Sequence, residues 1–255
     1  MIEYKVLSRK YRPKKLKEVI GQDFTVRTLT NAFAKEKLAH AFLFTGIRGV
    51  GKTTIARIIA MGLNCETENK PTANPCGICS NCKAILQDRY EDVLEIDAAS
   101  NTGVDDVREI ISSLKYRPSK GSYKVFIIDE VHMLSNSAFN ALLKTIEEPP
   151  SFVKFIFCTT EMKKIPITIV SRCQKYNLNR VTLTALCNYL EEIAELEKLD
   201  ISKEAIAVIA RNSEGSIRDS LTILDQCILS FNNENIDVEN VNQTIGLTSQ
   251  SFLLN

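Results

Sequence analysis

The segment Gly46-Ile47-Arg48-Gly49-Val50-Gly51-Lys52-Thr53 follows the apolar stretch Ala41–Thr45 and precedes a helical pattern over Thr53–Leu63. It fits G-x-x-x-x-G-K-[ST], and a strand before it with a helix after it is the context in which that pattern cradles phosphate. The glycines let the backbone curl so that its N–H groups converge on phosphate oxygens, and the start of the helix adds its positive end. Gly46, Arg48, Gly49, Val50, Gly51, Lys52, Thr53 and Thr54 are therefore expected around ATP. Lys52 is expected at the β- and γ-phosphates and Thr53 at a Mg²⁺ ion. Such a loop commits the chain to a strand–turn–helix unit, the opening of an α/β fold.

The rest of the chain extends that unit. Short apolar runs rich in β-branched and aromatic residues recur at Val93–Ile96, Val125–Ile128 and Val153–Cys158, with helical patterns between them. Strands buried on both faces of a parallel sheet read this way. Ser135 opens a capped helical run that Pro149-Pro150 must end. The alternation predicts a doubly wound parallel sheet with its ligands at the carboxyl ends of the strands. Beyond about Val181 the β-type runs stop, and helical patterns follow near Leu183–Leu199, Ser202–Asn212, Ser216–Phe231 and Val238–Thr244. They predict a small all-α domain.

The run Val125-Phe126-Ile127-Ile128-Asp129-Glu130 delivers two carboxylates at the end of a buried strand. Asp129 suits the Mg²⁺ shell, and Glu130 suits activation of an attacking water. With the phosphate loop, they point to hydrolysis rather than binding alone.

Four of the eight cysteines cluster: Cys65, Cys76, Cys79 and Cys82, with ten, two and two residues between them. Four thiolates at this spacing suit tetrahedral Zn²⁺ in a closed, structural site. Disulfides and an iron–sulfur cluster are the competing readings. Cys158, Cys173, Cys187 and Cys227 read as small buried apolar groups. The two histidines, His40 and His132, have no metal-type partner at helical spacing and read as structural.

Lysine and arginine number 32 against 31 acidic residues, so no global field draws the chain to nucleic acid or membrane, and DNA contact must be local. No apolar stretch approaches the roughly 18 residues of a membrane span. The charged start, with Glu3, Lys5, Arg9, Lys10 and Arg12, does not form a secretory signal. The cytoplasm is the expected compartment.

These residues together resemble a family, the gamma/tau subunits of the bacterial DNA polymerase III clamp loader. The marks are Leu7–Pro13, Val19–Gln22, the phosphate loop, Asn64-Cys65 with the later cysteines, Glu95–Ser100, Ile128–Leu134, Asn140–Pro150, Ser171-Arg172-Cys173 and Gly215–Asp219. The resemblance implies an AAA+ P-loop ATPase domain over 1–180 with a zinc knuckle inserted at 64–83. A helical lid over 181–245 would follow, and 246–255 would begin a collar domain.

By the same resemblance, Thr160 looks like the sensor of the γ-phosphate or attacking water. Arg172 looks like an arginine finger acting in trans on a neighbouring subunit, and Arg218 like a second sensor. Arg9, Tyr11, Arg12 and Pro13, with Val19 and Ile20, resemble the segment that wraps adenine. The implied partners are other clamp-loader subunits in a hetero-oligomeric ring, the sliding clamp and primer–template DNA. Arg48, Lys144 and Asn101-Thr102-Gly103 are candidate contacts to DNA phosphates. A polymerase activity would belong to the holoenzyme, since the chain has no three-carboxylate palm site. The rival readings are a non-hydrolysing AAA+ scaffold and a branch-migration or helicase motor.

Overall fold

The computed structural model describes residues 4–68, 70–100, 103, 107, 111–231 and 235–252. They divide into two units: Pro13–Gly46 with Gly51–Leu178, and Asn179–Asn255 with Met1–Arg12 and Ile47–Val50.

The first unit is built on strand β1 (Ala41–Thr45), buried at all five positions as a strand covered on both faces must be. β2 (Val93–Asp97), β3 (Lys124–Asp129) and β4 (Val153–Thr159) join it in the order β2-β3-β4-β1-β5. All the described pairings are parallel. β5 (Gln174–Asn177) was not among the strands expected from composition. Only Tyr176 in it is buried, so its sequence carries no apolar run, and pairing with β1 places it at the sheet edge.

On one face, Leu43, Phe126, Ile128, Phe155 and Phe157 meet Phe139, Leu142 and Ile146 of helix α5 (Asn136–Glu147). Each large apolar side chain buried this completely contributes about 1.5–3 kcal/mol. Ser135 caps that helix by accepting the Ala138 N–H at 3.2 Å, and Pro149-Pro150 follows its end. Phe42 and Phe44 point to the other face and stack with Tyr176, Phe44 at 5.2 Å between centroids. Helix α3 (Lys52–Asn64) follows the phosphate loop, with Ile55, Ile58 and Ile59 fully buried.

Two side chains fix the approaches to β3. Asn64 brackets the backbone of Tyr123, accepting its N–H at 2.9 Å and donating to its carbonyl at 3.0 Å. Asp92, 4% exposed, accepts the backbone N–H groups of Ser119, Lys120 and Gly121 at 2.8–2.9 Å. Burial opposes its charge, but these three donors hold its carboxyl below the usual range.

In the second unit, helices α7 (Leu183–Glu197), α8 (Lys203–Asn212), α9 (Ile217–Phe231) and α10 (Val238–Phe252) enclose Leu186, Leu190, Ile193, Ile209, Leu224 and Val241. Thr182 and Ser202 cap α7 and α8 through the N–H groups of Ala185 and Ala205. The short helix α1 (Leu7–Lys10) is held to this unit: Asp225 accepts the Tyr4 hydroxyl at 2.7 Å and the Leu7 N–H at 3.3 Å. No described helix is long and apolar enough to cross a membrane.

Candidate nucleotide and metal sites

β1, β3 and β4 run parallel, so their carboxyl ends share one edge of the sheet. Thr45 pairs with Thr159 across β1 and β4, and Asp97 with Asp129 across β2 and β3. The phosphate loop leaves β1 there. Gly51 takes φ 106° as it opens α3, a conformation that a side chain would strain. Gly49 also has positive φ, and a Cβ on it would strike the Ser216 hydroxyl.

Lys52, 5% exposed, folds over the loop so that Nζ donates to the Gly46 carbonyl at 2.9 Å. Thr53 Oγ1 donates to Asp129 Oδ2 at 2.7 Å. Val50 is buried, Arg48 is exposed, and Thr54 is half-buried on the first turn of α3.

Glu130 follows β3 with φ 45°, ψ 43°. A left-handed backbone at a residue other than glycine costs about 1–3 kcal/mol and persists where the surroundings enforce it. Its N–H donates to Asp129 Oδ1 at 2.9 Å. Its Oε2 accepts from Thr160 twice, from the N–H at 3.2 Å and the hydroxyl at 3.0 Å. Lys52, Thr53, Asp129, Glu130 and Thr160 are thus gathered from segments far apart in sequence.

His132 belongs to this cluster as well, although the sequence marked it only as structural. Its Nδ1 lies 3.0 Å from Thr159 Oγ1 and 3.4 Å from Glu130 Oε2, and its Nε2 lies 3.4 Å from Glu161 Oε1. No helical or strand periodicity links residues 132, 159 and 161. Only the pairing of β3 with β4 brings them together.

Arg172, just after the short helix α6 (Ile167–Val170), pairs with Glu147 at the end of α5, and its NH1 donates to the Thr168 carbonyl at 2.6 Å. Lys144 is exposed on α5. Gly103 is described, whereas Asn101 and Thr102 lie outside the described residues.

The residues expected at adenine divide between the units. Pro13, Val19 and Ile20 lie in the sheet unit, with Val19 buried, and Arg9, Tyr11 and Arg12 lie in the helical unit. The Tyr11 hydroxyl donates to Glu197 at 2.5 Å, and Lys10 pairs with the same carboxylate. Burial and that hydrogen bond push the Tyr11 phenol up to about 12. Arg218, exposed on α9, donates its backbone N–H to the Gly49 carbonyl at 3.3 Å.

The sulfurs of Cys65, Cys76, Cys79 and Cys82 all lie within 4.8 Å of one another. Four thiolates 2.3 Å from one tetrahedral ion sit about 3.8 Å apart, and Cys76 Sγ is 4.0 Å from Cys82 Sγ. All four are free thiols. Backbone N–H groups point at sulfur: Cys76 at Cys65, Ile78 and Cys79 at Cys76, and Cys82 at Cys79, at 3.3–3.4 Å. Burial opposes ionisation of Cys76, but its two backbone donors lead the effects that pull the thiol down to about 6. Burial pushes the Cys82 thiol up, and a cation would supply the charge that ionises it. The donor set fits zinc.

Cys158, Cys173 and Cys227 are buried and Cys187 is half-buried, in keeping with the apolar reading given to them. His40 has a buried Nε2 without a hydrogen-bond partner.

Comparison with known proteins gives this arrangement a lineage. A family profile described as "DNA polymerase III, delta subunit" matches residues 21–182. Another, "DNA polymerase III clamp loader subunit, ATPase lid domain", matches residues 185–233. The DNA polymerase III subunit tau of Escherichia coli is 48% identical over 90% of this chain, which spans 35% of that protein's length. The DNA polymerase III subunit gamma of Buchnera aphidicola, from Baizongia pistaciae, is 43% identical over 99% of this chain and 68% of its own. Among solved structures, the RuvB Holliday junction branch migration motor of Thermotoga maritima superposes with a TM-score of 0.66 at 24% identity, over 93% of this chain and 72% of that one. That likeness carries the AAA+ fold alone. With both profiles and close relatives along nearly its whole length, the chain belongs to the gamma/tau family of DNA polymerase III clamp-loader subunits.

Proposed function

We propose that the chain is an ATP-binding and ATP-hydrolysing motor of a bacterial replicative clamp loader. ATP binding would assemble a ring that opens the sliding clamp, and hydrolysis would release the clamp on primer–template DNA. The observation that carries this reading is the convergence of Lys52, Thr53, Asp129 and Glu130 at one edge of the sheet, in a chain of this family.

Lys52 neutralises the β- and γ-phosphates, while Thr53 and Asp129 hold Mg²⁺, which when bound offsets phosphate charge. Glu130, aimed by Thr160, orients and deprotonates the attacking water. Arg172 acts in trans at the site of a neighbouring subunit, and Arg218 reads the nucleotide of its own chain. Arg9, Tyr11, Arg12, Pro13, Val19 and Ile20 receive adenine. Arg48 and Lys144 are proposed contacts to DNA phosphates. The four cysteines hold a structural Zn²⁺. The AAA+ domain is taken as 1–180 and the lid as 181–245, and the cytoplasm is the proposed compartment.

ATP turnover and clamp loading by the full-length subunit, assembled with its partner subunits, clamp and primed DNA, test the reading. Turnover stimulated by clamp and DNA and lost in Lys52→Ala is expected. An assembled complex that neither binds clamp nor turns over ATP would overturn it.

A further inference from the structure

Thr160 is not the only group against Glu130 Oε2. The imidazole of His132 lies on its other side, with Nδ1 3.4 Å away and its side chain 6% exposed. We propose that His132 is a positioning residue for Glu130, its ring steering the carboxylate onto Thr160. The inference rests on the reading that Glu130 activates water.

The geometry selects one tautomer of the neutral ring. An imidazole so buried needs partners for both nitrogens. Thr159, fully buried, already accepts the Glu161 N–H on its Oγ1 at 3.0 Å, so its own proton is free to point at His132 Nδ1, 3.0 Å away. The ring proton then sits on Nε2, facing Glu161 Oε1 at 3.4 Å. Lys164 holds Glu161 in turn at 2.9 Å. In that tautomer Nδ1 has no proton to offer Glu130. Its lone pair opposes Oε2, which is left to the N–H and hydroxyl of Thr160.

The charged groups facing the ring are Glu130 from the end of β3 and Glu161, with its Lys164, from the turn after β4. The left-handed backbone at Glu130 starts the 3-10 turn Val131–Met133 that carries the ring.

The test uses the full-length subunit assembled with its partners, with kcat and KM for ATP measured for the native protein, His132→Ala, His132→Gln, Glu130→Gln and the His132→Ala/Glu130→Gln double variant. His132→Ala is expected to lower kcat about tenfold, as loss of an orienting partner does, with KM within about twofold. His132→Gln, which keeps a hydrogen-bonding side chain, is expected to retain more of kcat than His132→Ala does. In the Glu130→Gln background His132→Ala should cost nothing further. The proposal is overturned if both His132 variants keep the native kcat. It is equally overturned if His132→Ala lowers turnover by the same factor with Glu130 already replaced, or loses ATP binding in proportion. Should His132→Ala fail to fold, His132→Gln alone decides, by whether kcat falls while KM stays within about twofold. Native turnover no faster than that of Glu130→Gln would sink the reading of Glu130 itself and this inference with it, a result distinct from loss of the His132 effect alone.

Discussion

Thr53 Oγ1 donates to Asp129 Oδ2 across 2.7 Å, joining the first turn of α3 to the end of β3. The hydroxyl and carboxylate are held where one divalent ion could take an oxygen from each. Asp129→Asn keeps the shape but removes the charge. We expect ATP turnover in the assembled complex to fall by about a hundredfold or more, with the fold intact by circular dichroism. Calorimetric titration should still find ATP bound, but with much less dependence on Mg²⁺. Turnover close to native would remove Asp129 from the site.

The cysteine module should hold one zinc per chain. Structural zinc sites contribute folding free energy directly, because the unfolded chain has no preformed site. Cys82 is fully buried, and Cys82→Ser is expected to abolish the metal and lower the melting temperature by several degrees. Elemental analysis of protein purified under reducing conditions measures the metal, and a thermal melt with and without chelator measures the coupling. Full occupancy by iron, or a chelator-resistant melt in metal-free protein, would refute the assignment.

What could be read in the sequence was what chemistry forces into a short segment. Gly46–Thr53, Asp129-Glu130 and the cysteine spacing each encode local geometry, and the buried strands β1, β3 and β4 declare themselves by continuous apolar runs. β5 did not, because a half-exposed edge strand such as Gln174–Asn177 needs its neighbour to become one. His132 and the docking of Tyr4 on Asp225 were illegible for a related reason. Their partners stand 27 and 221 residues away, and hydrophobic periodicity carries no information about such pairs. The loop anchored by Asp92 was missed in the same way.

Asp92 makes the acid side of the stability curve testable. Its folded-state pKa is depressed below the unfolded value, so its contribution is fully present above the unfolded carboxylate pKa of about 3.9. It is lost as pH falls through the lower, folded value. Asp92→Ala leaves the N–H groups of Ser119, Lys120 and Gly121 without their acceptor and should cost about 1–3 kcal/mol at pH 7. Urea unfolding at pH 7 and at successively lower pH should show the gap between native and variant narrowing only below about pH 4. A gap independent of pH would mean that the carboxylate charge contributes nothing.

Arg172 is held within its own chain by Glu147 and the Thr168 carbonyl. Both charged side chains are partly exposed, at 33% and 46%, and a solvent-screened pair of this kind holds by about 1 kcal/mol or less. It is weak enough for the guanidinium to leave for a neighbour's triphosphate, where such a group is worth about 10³-fold or more in rate. Arg172→Ala should therefore bind ATP normally and yet turn it over at least about 10³-fold more slowly when every copy in an assembly carries it. Mixing distinguishes action in trans from a defect of the chain's own site. An Arg172→Ala copy keeps an intact pocket, and a Glu130→Gln copy keeps an intact finger. Assemblies in which the second lends its arginine to the first should recover turnover that neither shows alone. Recovery absent at every mixing ratio, with assembly verified by light scattering, would place the effect of Arg172 inside its own chain.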